Sequence, residues 1–409
     1  MTRTVAVTGV GILSPLGRGT TETSAALVAG RSGIVSMRPE WAEVGLRSQV
    51  AGLVDAEPLR AHYDRKQGRF LCNAAVLAAE GMKDAIADAG LESREIEDPR
   101  TGIILGTGAG ASLADSVALG DRFRARGGSK VGPYQVPLIM GSSLTANLGT
   151  MFHIRGQSYS VTSACTTSAH AALIGLDLIR SGRQDRVFVG GAEDVNPYSA
   201  SAFDGMGALS SAYNDEPHLA SRPLDKRRDG FVFGSGAAVL VLEELGLARG
   251  RGARIRGIFR GAGATGDGQD MVVPSGFGAQ ASMEQALEDA GVAPKSVDYI
   301  NLHGTSTPTG DLVEVEAIRR VFGSRVPVLS STKSMTGHGL GAAGAQEAVF
   351  CLLMMQEGFV APSINIEDPE PAIADLHVPR TVERRAIQTI LSNSLGFGGT
   401  NCSLVFSRE

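Results

Sequence analysis

Residues 299–321 read YINLHGTSTPTGDLVEVEAIRRV, and this stretch decides the fold. Tyr299–Leu302 predicts a short strand, a turn rich in Gly, Thr and Pro ends it, and Asp311–Val321 predicts a helix. The alternation continues downstream with a strand at Val326–Ser330, a helix at Ala342–Gln356 and a strand at Thr389–Ser392. Upstream, Thr4–Thr8 predicts a strand followed by a glycine turn over Gly9–Gly17, and Asn73–Ala89 a helix closed by Gly90. Gly102–Leu105, Val187–Val189 and Ala237–Leu242 predict strands, and Gln280–Ala290 a helix. Within Thr166–Arg180 the apolar positions Ala169, Ala172, Leu173, Leu176 and Ile179 recur at helical spacing. Strands alternating with helices argue for an α/β fold with much parallel sheet. A core rarely grows past roughly 250–300 residues, so a chain of 409 residues is expected to hold two halves. The basic, glycine-rich segment Gly246–Gly257 marks their junction, dividing the chain into 1–250 and 251–409.

Composition narrows the function. The 53 glycines are close to twice the roughly 7% of average usage. They follow no three-residue period, so they speak for tight turns and close backbone approach rather than collagen. The net charge of −5 argues against a nucleic-acid partner. The longest apolar run near the C-terminus, Ala348–Met355, has eight residues; a membrane span needs about 20. Residues 1–17 lack the apolar core of a secretion signal. The four cysteines, Cys72, Cys165, Cys351 and Cys402, form no CxxC pair, which favours a reducing cytoplasm.

Gly261–Gly266 fits GxGxxG, but a helix does not follow it, so a dinucleotide site is not expected. The seven histidines form no metal-ligand spacing. Cys165, in VTSACTTSAH, sits where an extended run meets a helix start. Helix N–H groups there would lower a thiol pKa and could stabilise an oxyanion; the alternative is a small buried cysteine. His303 and His338 each follow a strand and precede a helix, the position at which α/β sheets bind ligands. Each alone reads as a structural histidine rather than a catalyst. A cysteine at a helix start with two such histidines is the set that acyl transfer through a thioester requires. Gly396, Gly398 and Gly399 around Phe397 would let a loop move, or would serve a plain turn.

SACTTSAH, HGTSTPTGD, TKSMTGHGLGAAG and SLGFGGTN, in this order, resemble the β-ketoacyl-[acyl-carrier-protein] synthases, and the resemblance spans essentially the whole chain. GPYQV, FDGMGALS, RDGFVFGSGA and FVAPSINIED resemble the type I bacterial branch. The resemblance implies the thiolase fold: two similar α/β halves in a five-layered αβαβα arrangement, as a dimer. It implies Cys165 as the acyl acceptor and the N–H groups of Cys165 and Phe397 as the oxyanion hole. His303 and His338 would serve the malonyl step, with Lys333, Glu314 and Asp311 in support. Thr305 and Thr307 would hold the phosphopantetheine of acyl carrier protein, and no further cofactor or metal is implied. Phe397 with Leu395 would gate the site. Ala109 and Thr166 are expected on the acyl tunnel, and Leu395 and Thr166 depart from the Phe and Ala usual in the family. A carrier protein is acidic, so a local basic patch is expected, drawn from Lys66, Arg69, Arg124, Arg126 and Lys130.

Several readings stay open at this level. One is chain elongation in fatty-acid synthesis by a homodimer. Another is the ketosynthase of a type II polyketide or polyene system, paired with a chain-length-factor-like homologue. A non-catalytic partner subunit and a CoA-dependent thiolase are more remote: the first loses its nucleophile, and the second uses another active-site cysteine.

Overall fold

The computed structural model describes residues 3–110 and 112–409. Among the described residues the central sheet has eleven strands: the two-residue strand Gly17–Arg18 and ten that form two matching sets, one on each side of a shared seam. The first is β1 (Val5–Ser14), β2 (Thr101–Gly106), β3 (Ser158–Val161), β4 (Arg186–Glu193) and β5 (Gly236–Glu244). The second is β6 (Gly257–Gly266), β7 (Tyr299–Asn301), β8 (Val328–Ser330), β9 (Thr389–Gly396) and β10 (Thr400–Ser407). Their spatial orders are β3-β2-β4-β5-β1 and β8-β7-β9-β10-β6, the same order twice. In each set the first three strands are parallel and the last two turn antiparallel. The sets meet where Val5, Ala6 and Val7 of β1 pair antiparallel with Phe259, Ile258 and Gly257 of β6. The segment between β5 and β6 holds a short helix, Leu245–Gly250.

The main helices are α1 (Asn73–Ala89), α2 (Leu113–Arg126), α3 (Thr167–Arg180), α4 (Phe277–Ala290), α5 (Gly310–Phe322) and α6 (Ala343–Glu357). Successive strand residues face opposite sides, so each sheet feeds two cores. Leu105, Phe188 and Val239 pack on α1; Val187, Val189 and Leu240 pack on α3 and α6. In the second set Leu391 and Val405 pack on α4 and α5, whereas Ile390, Leu404 and Phe406 face α3 and α6. The layers are therefore α1, first sheet, α3 with α6, second sheet, α4 with α5. This is the five-layered arrangement of two similar halves. Helix α6 lies between both sheets, with every residue from Ala343 to Met355 buried, which is why its sequence is apolar on all sides.

One expectation fails instructively. The glycines at Gly9 and Gly11 do not start a turn, because β1 runs on to Ser14. A Cβ on Gly11 would lie 1.9 Å from the Gly81 carbonyl oxygen, and one on Gly9 2.6 Å from that of Ala85, both in α1. The second half repeats the device: a Cβ on Gly261 would lie 2.4 Å from the Ala290 nitrogen, and one on Gly263 2.2 Å from the Ser282 oxygen of α4. Bare positions two apart on one strand face admit a helix backbone closer than side chains permit. Gly261–Gly266 is thus strand against helix.

Gly263→Ala should destabilise the fold by about 1–3 kcal/mol, because its Cβ meets main chain that cannot rotate away. Gly266→Ala in the same strand, whose Cβ would meet nothing within 4 Å, should stay within about 0.5 kcal/mol of the parent. Thermal or urea midpoints that fall equally for both would contradict this account.

Candidate active site

The nucleophile turn follows β3. Ala164 adopts a left-handed conformation (φ 50°), uncommon for a side-chain-bearing residue. The turn is pinned locally: the Ser163 N–H donates to Thr167 Oγ1 (2.8 Å), whose hydroxyl donates to the Ala164 carbonyl (2.8 Å). Cys165 lies in the single 3-10 turn Ala164–Thr166 that leads into α3. The main-chain N–H groups of Phe397 and of Cys165 itself favour negative charge on its sulfur. A Cβ on Gly396 would come within 3.3 Å of the Cys165 nitrogen, so the chain beside Phe397 can close on this turn because residue 396 is glycine.

The histidines come from the second half. His303 follows β7, and its loop is held by a carboxylate of α5: Glu314 accepts the N–H groups of His303 and Gly304, each at 2.8 Å, and the Asn393 side-chain amide at 3.1 Å. Asp311 accepts the Ser306 N–H (3.1 Å) and the Leu224 N–H (2.9 Å) and lies 3.5 Å from Arg228. His338 lies between β8 and α6, with its N–H donating to the Val232 carbonyl at 2.7 Å. The two imidazoles stand edge to face, ring centres 5.1 Å apart and planes at 90°. Both ring nitrogens of His338, and Nδ1 of His303, are buried without a hydrogen-bond partner among the described residues. Native structures leave few buried polar atoms unpaired, and here the rings line a cavity of about 360 Å3 together with Cys165 and Phe397.

Lys333 does not line that cavity. Its ammonium is buried behind the cavity and paired with the buried carboxylate of Glu347. Burial, the charge of Lys333 and the neighbouring His338 hold the His303 imidazole well below its ordinary pKa; burial and Lys333 do the same for His338. Both rings are neutral at physiological pH. Burial pushes Glu314 up to about 7 against the N–H groups it accepts, and Asp311 up to about 6 against Arg228.

The lowered thiol pKa expected from the helix start is not found. Burial pushes the Cys165 thiol up to about 12, overriding Lys333 and the Phe397 N–H. The helix-end field is outweighed by loss of water from around the sulfur. Thr305 and Thr307 line the cavity, with their hydroxyls 3.2 Å apart, and so does Leu395. Thr166 does not: it is fully buried and its hydroxyl donates to the Ser163 carbonyl (2.6 Å). Ala109 is also off the cavity and exposed, its N–H directed at Glu193 at 3.4 Å. Lys66, Arg69, Arg124, Arg126 and Lys130 are all exposed, away from the cavity. The Arg69 guanidinium lies over the Tyr134 ring (4.6 Å to its centre), so the first basic segment meets the chain that follows Lys130. Arg124 is paired with Asp121 at 2.7 Å.

Two carboxylates escaped the sequence reading. Glu347 could have been flagged as a charge inside an apolar helix. Glu193 gave no signal; it is buried after β4 and accepts the N–H groups of Gly108 (2.7 Å) and Gly341 (3.0 Å), joining the halves beside the site.

The chain is similar to known proteins along its length. Residues 2–248 match the family description "Beta-ketoacyl synthase, N-terminal domain" and residues 256–367 "Beta-ketoacyl synthase, C-terminal domain". The chain is 49% identical over 409 residues to 3-oxoacyl-[acyl-carrier-protein] synthase 1 of Haemophilus influenzae, covering 100% of this chain and 99% of that one. It is 46% identical to the protein of that name from Escherichia coli, over 98% of each. Among solved structures it is similar to a β-ketoacyl synthase from Burkholderia phymatum (TM-score 0.93, 35% identity, 100% of both chains). It is also similar to the ishigamide ketosynthase/chain length factor (TM-score 0.91, 31% identity, 100% of both chains).

Iodoacetamide should modify Cys165 selectively because it alone of the four cysteines meets the cavity; Cys72, Cys351 and Cys402 are buried in the cores. Burial raises the pKa of every one of them, so access and not acidity provides the selectivity. With the Cys165 thiol at about 12, its labelling rate should rise about tenfold per pH unit from 7 to 10. Peptide mapping that finds a plateau below pH 9, or equal labelling of all four, would contradict this.

Proposed function

The chain belongs to the β-ketoacyl synthase family, and on that premise we propose that it condenses an acyl group held on Cys165 with malonyl-acyl carrier protein in fatty-acid chain elongation. The observation that carries the reading is one cavity lined by a thiol and two neutral imidazoles with unpartnered ring nitrogens.

In the first half-reaction the Cys165 sulfur attacks the thioester of an acyl-carrier protein. The thiol proton leaves to a base within the cavity, and the neutral imidazoles are bases that line it. As the tetrahedral intermediate collapses, the imidazole gives that proton to the departing phosphopantetheine sulfur, so the carrier leaves as a thiol and the ring is neutral again. The N–H groups of Cys165 and Phe397, which favour negative charge at the sulfur, are donors for the oxygen that becomes negative. In the second half-reaction malonyl-carrier protein loses carbon dioxide, and its electron pair passes into a thioester enolate. His303 and His338 donate N–H groups to the enolate oxygen, and a neutral ring with its one N–H suffices for that. The enolate carbon attacks the acyl carbonyl on Cys165, the new C–C bond forms, the C–S bond breaks, and the sulfur regains a proton. Lys333 acts through its field from behind the cavity, while Glu314 and Asp311 position the His303 loop. Thr305 and Thr307 hold the phosphopantetheine, and Phe397 with Leu395 forms the gate. Substrates arrive on the carrier's arm, and the chemistry calls for no metal or redox group.

Elongation is favoured over a polyketide role by the full-length identities of 49% and 46% to synthases named for 3-oxoacyl-carrier products, against 31% to the ishigamide pair. The retained Cys165 disfavours a non-catalytic subunit. We divide the chain functionally at residue 250, with the nucleophile before and the histidines and gate after. A homodimer is supported by an incomplete surface: β3 pairs on one edge only, α2 buries no residue, and Phe123, Val136 and Tyr159 are exposed. Among the described residues no helix is long and apolar enough to cross a membrane; we place the enzyme's work in the cytoplasm, where its carrier would be found. The exposed group Lys66, Arg69, Arg124, Arg126 and Lys130 is our docking surface for acyl carrier protein.

His303→Ala and His338→Ala should still take acyl groups onto Cys165, followed by intact mass, while carbon dioxide release from malonyl-carrier protein falls by about 10²–10³-fold. Decarboxylation at the parent rate in both variants would overturn the assignment.

Reversing Lys66 and Arg69 to Glu should raise the apparent KM for acyl-carrier protein several-fold and flatten its dependence on salt, since the steering field changes sign. Kinetics unchanged at low ionic strength would put docking elsewhere.

A further inference from the structure

Thr166 is the residue after the nucleophile, and its hydroxyl is turned away from the cavity. It donates to the Ser163 carbonyl (2.6 Å) and stands 2.7 Å from the hydroxyl of Thr400. Thr400 begins β10, directly after the turn Phe397–Gly399. Its hydroxyl also approaches the Ser163 carbonyl (3.2 Å) and the Phe397 carbonyl (3.4 Å). Two hydroxyl protons thus serve two carbonyls and one another. The shortest set gives the Thr166 proton to Ser163 and the Thr400 proton to Thr166.

This knot joins the two parts of the site that must act in sequence. Ser163 precedes the left-handed Ala164 that presents Cys165, and Phe397 is the ring beside the sulfur. Gly396 lies on the knot: a Cβ there would fall 2.6 Å from Thr400 Oγ1 and 3.0 Å from Thr166 Oγ1. A second link runs parallel to it. One turn along α3, the His170 ring bonds Ser163 Oγ (2.7 Å), and the main chain of Asn401 favours its charged form. In that set the Phe397 carbonyl takes no proton from Thr400, so Thr166, on the buried helix start, holds the turn at its downstream end through the Thr400 side chain and not through the Phe397 carbonyl.

We propose that Thr166 is a positioning residue that latches the Phe397 turn in its closed state through the Thr400 hydroxyl, and so sets how readily long acyl chains are admitted to Cys165. The proposal rests on the reading of Cys165 as acyl acceptor and Phe397 as gate. A long chain requires the ring to be fully displaced, and a short acyl group or a small reagent does not. The hydroxyl pair therefore weighs on one class of substrate.

The test compares Thr166→Ala, Thr166→Ser, Thr400→Val and the double variant Thr166→Ala/Thr400→Val. Acylation of Cys165 is timed by intact mass with a short and a long acyl-carrier protein, and iodoacetamide labelling of Cys165 is measured beside it. One neutral hydrogen bond corresponds to about a fivefold change. Thr166→Ala should speed long-chain acylation about fivefold, with short-chain acylation and iodoacetamide labelling within twofold of the parent. Thr166→Ser, which keeps the hydroxyl, should match the parent, and the double variant should add nothing to the single ones. Three results would overturn the latch: equal effects on both chain lengths, a serine variant that behaves like alanine, or labelling that falls together with acylation. The last would mean that Thr166 only shapes the nucleophile turn. A parent enzyme that takes no acyl group on Cys165 from either carrier would instead overturn the underlying reading, and the latch with it.

Discussion

The rest of the structure depends on how closely α3 and α6 approach at their N-terminal ends. A Cβ on Gly344 would lie 2.9 Å from the Ala169 nitrogen and 3.0 Å from Ser394 Oγ. Because that Cβ is absent, the first turn of α6 presses on the first turn of α3, and the Ala345 N–H reaches Ser168 Oγ at 2.9 Å. Each of these helices follows the third strand of its own half. Bringing their starts together therefore sets the turn that carries Cys165 beside the turn that carries His338. Both helices are sandwiched between sheets, so their ends cannot drift. A loop would hold such a site only loosely; the buried middle layer holds it with the rigidity of a core.

The same burial governs the electrostatics. Water is excluded from the sulfur and from both imidazoles, which disfavours charge on each. The buried Lys333–Glu347 pair adds a field that keeps the rings neutral and lowers the cost of negative charge on sulfur. An uncompensated buried lysine would be costly, and Glu347 on α6 supplies its partner. The site is therefore poised for anions that form during reaction: the sulfur and both imidazoles are uncharged at rest, and His303 Nδ1 and both ring nitrogens of His338 have no competing partner among the described residues.

The duplicated topology accounts for four glycines that look like turn or loop residues in the sequence. Gly9 and Gly11 in one half and Gly261 and Gly263 in the other let an outer helix lie on the first strand. From sequence alone, the first pair was read as a turn and the second was tested as a nucleotide loop, because bare positions look the same in a turn, a loop and a packed strand. Only the neighbour that a Cβ would strike tells them apart, and that neighbour is about 70 residues away in one half and about 20–30 in the other.

What the amino-acid order determined by itself was local: helices at Asn73–Ala89 and Gln280–Ala290, strands around Val187 and Ile390, and three polar turns that carry Cys165, His303 and His338. Periodicity and turn chemistry are short-range signals, and these elements answer to them. Tertiary structure decided the rest. Burial reversed the expected direction of the Cys165 pKa, since a helix end is written in adjacent residues and desolvation is not. Packing turned Thr166 from a cavity residue into a buried link to Thr400, a residue 234 positions away. It also exposed Ala109, buried Glu347 against Lys333, and made Glu193 the acceptor of N–H groups 85 and 148 residues away. Each of these depends on what another segment brings to the same place, and a linear reading cannot supply that information.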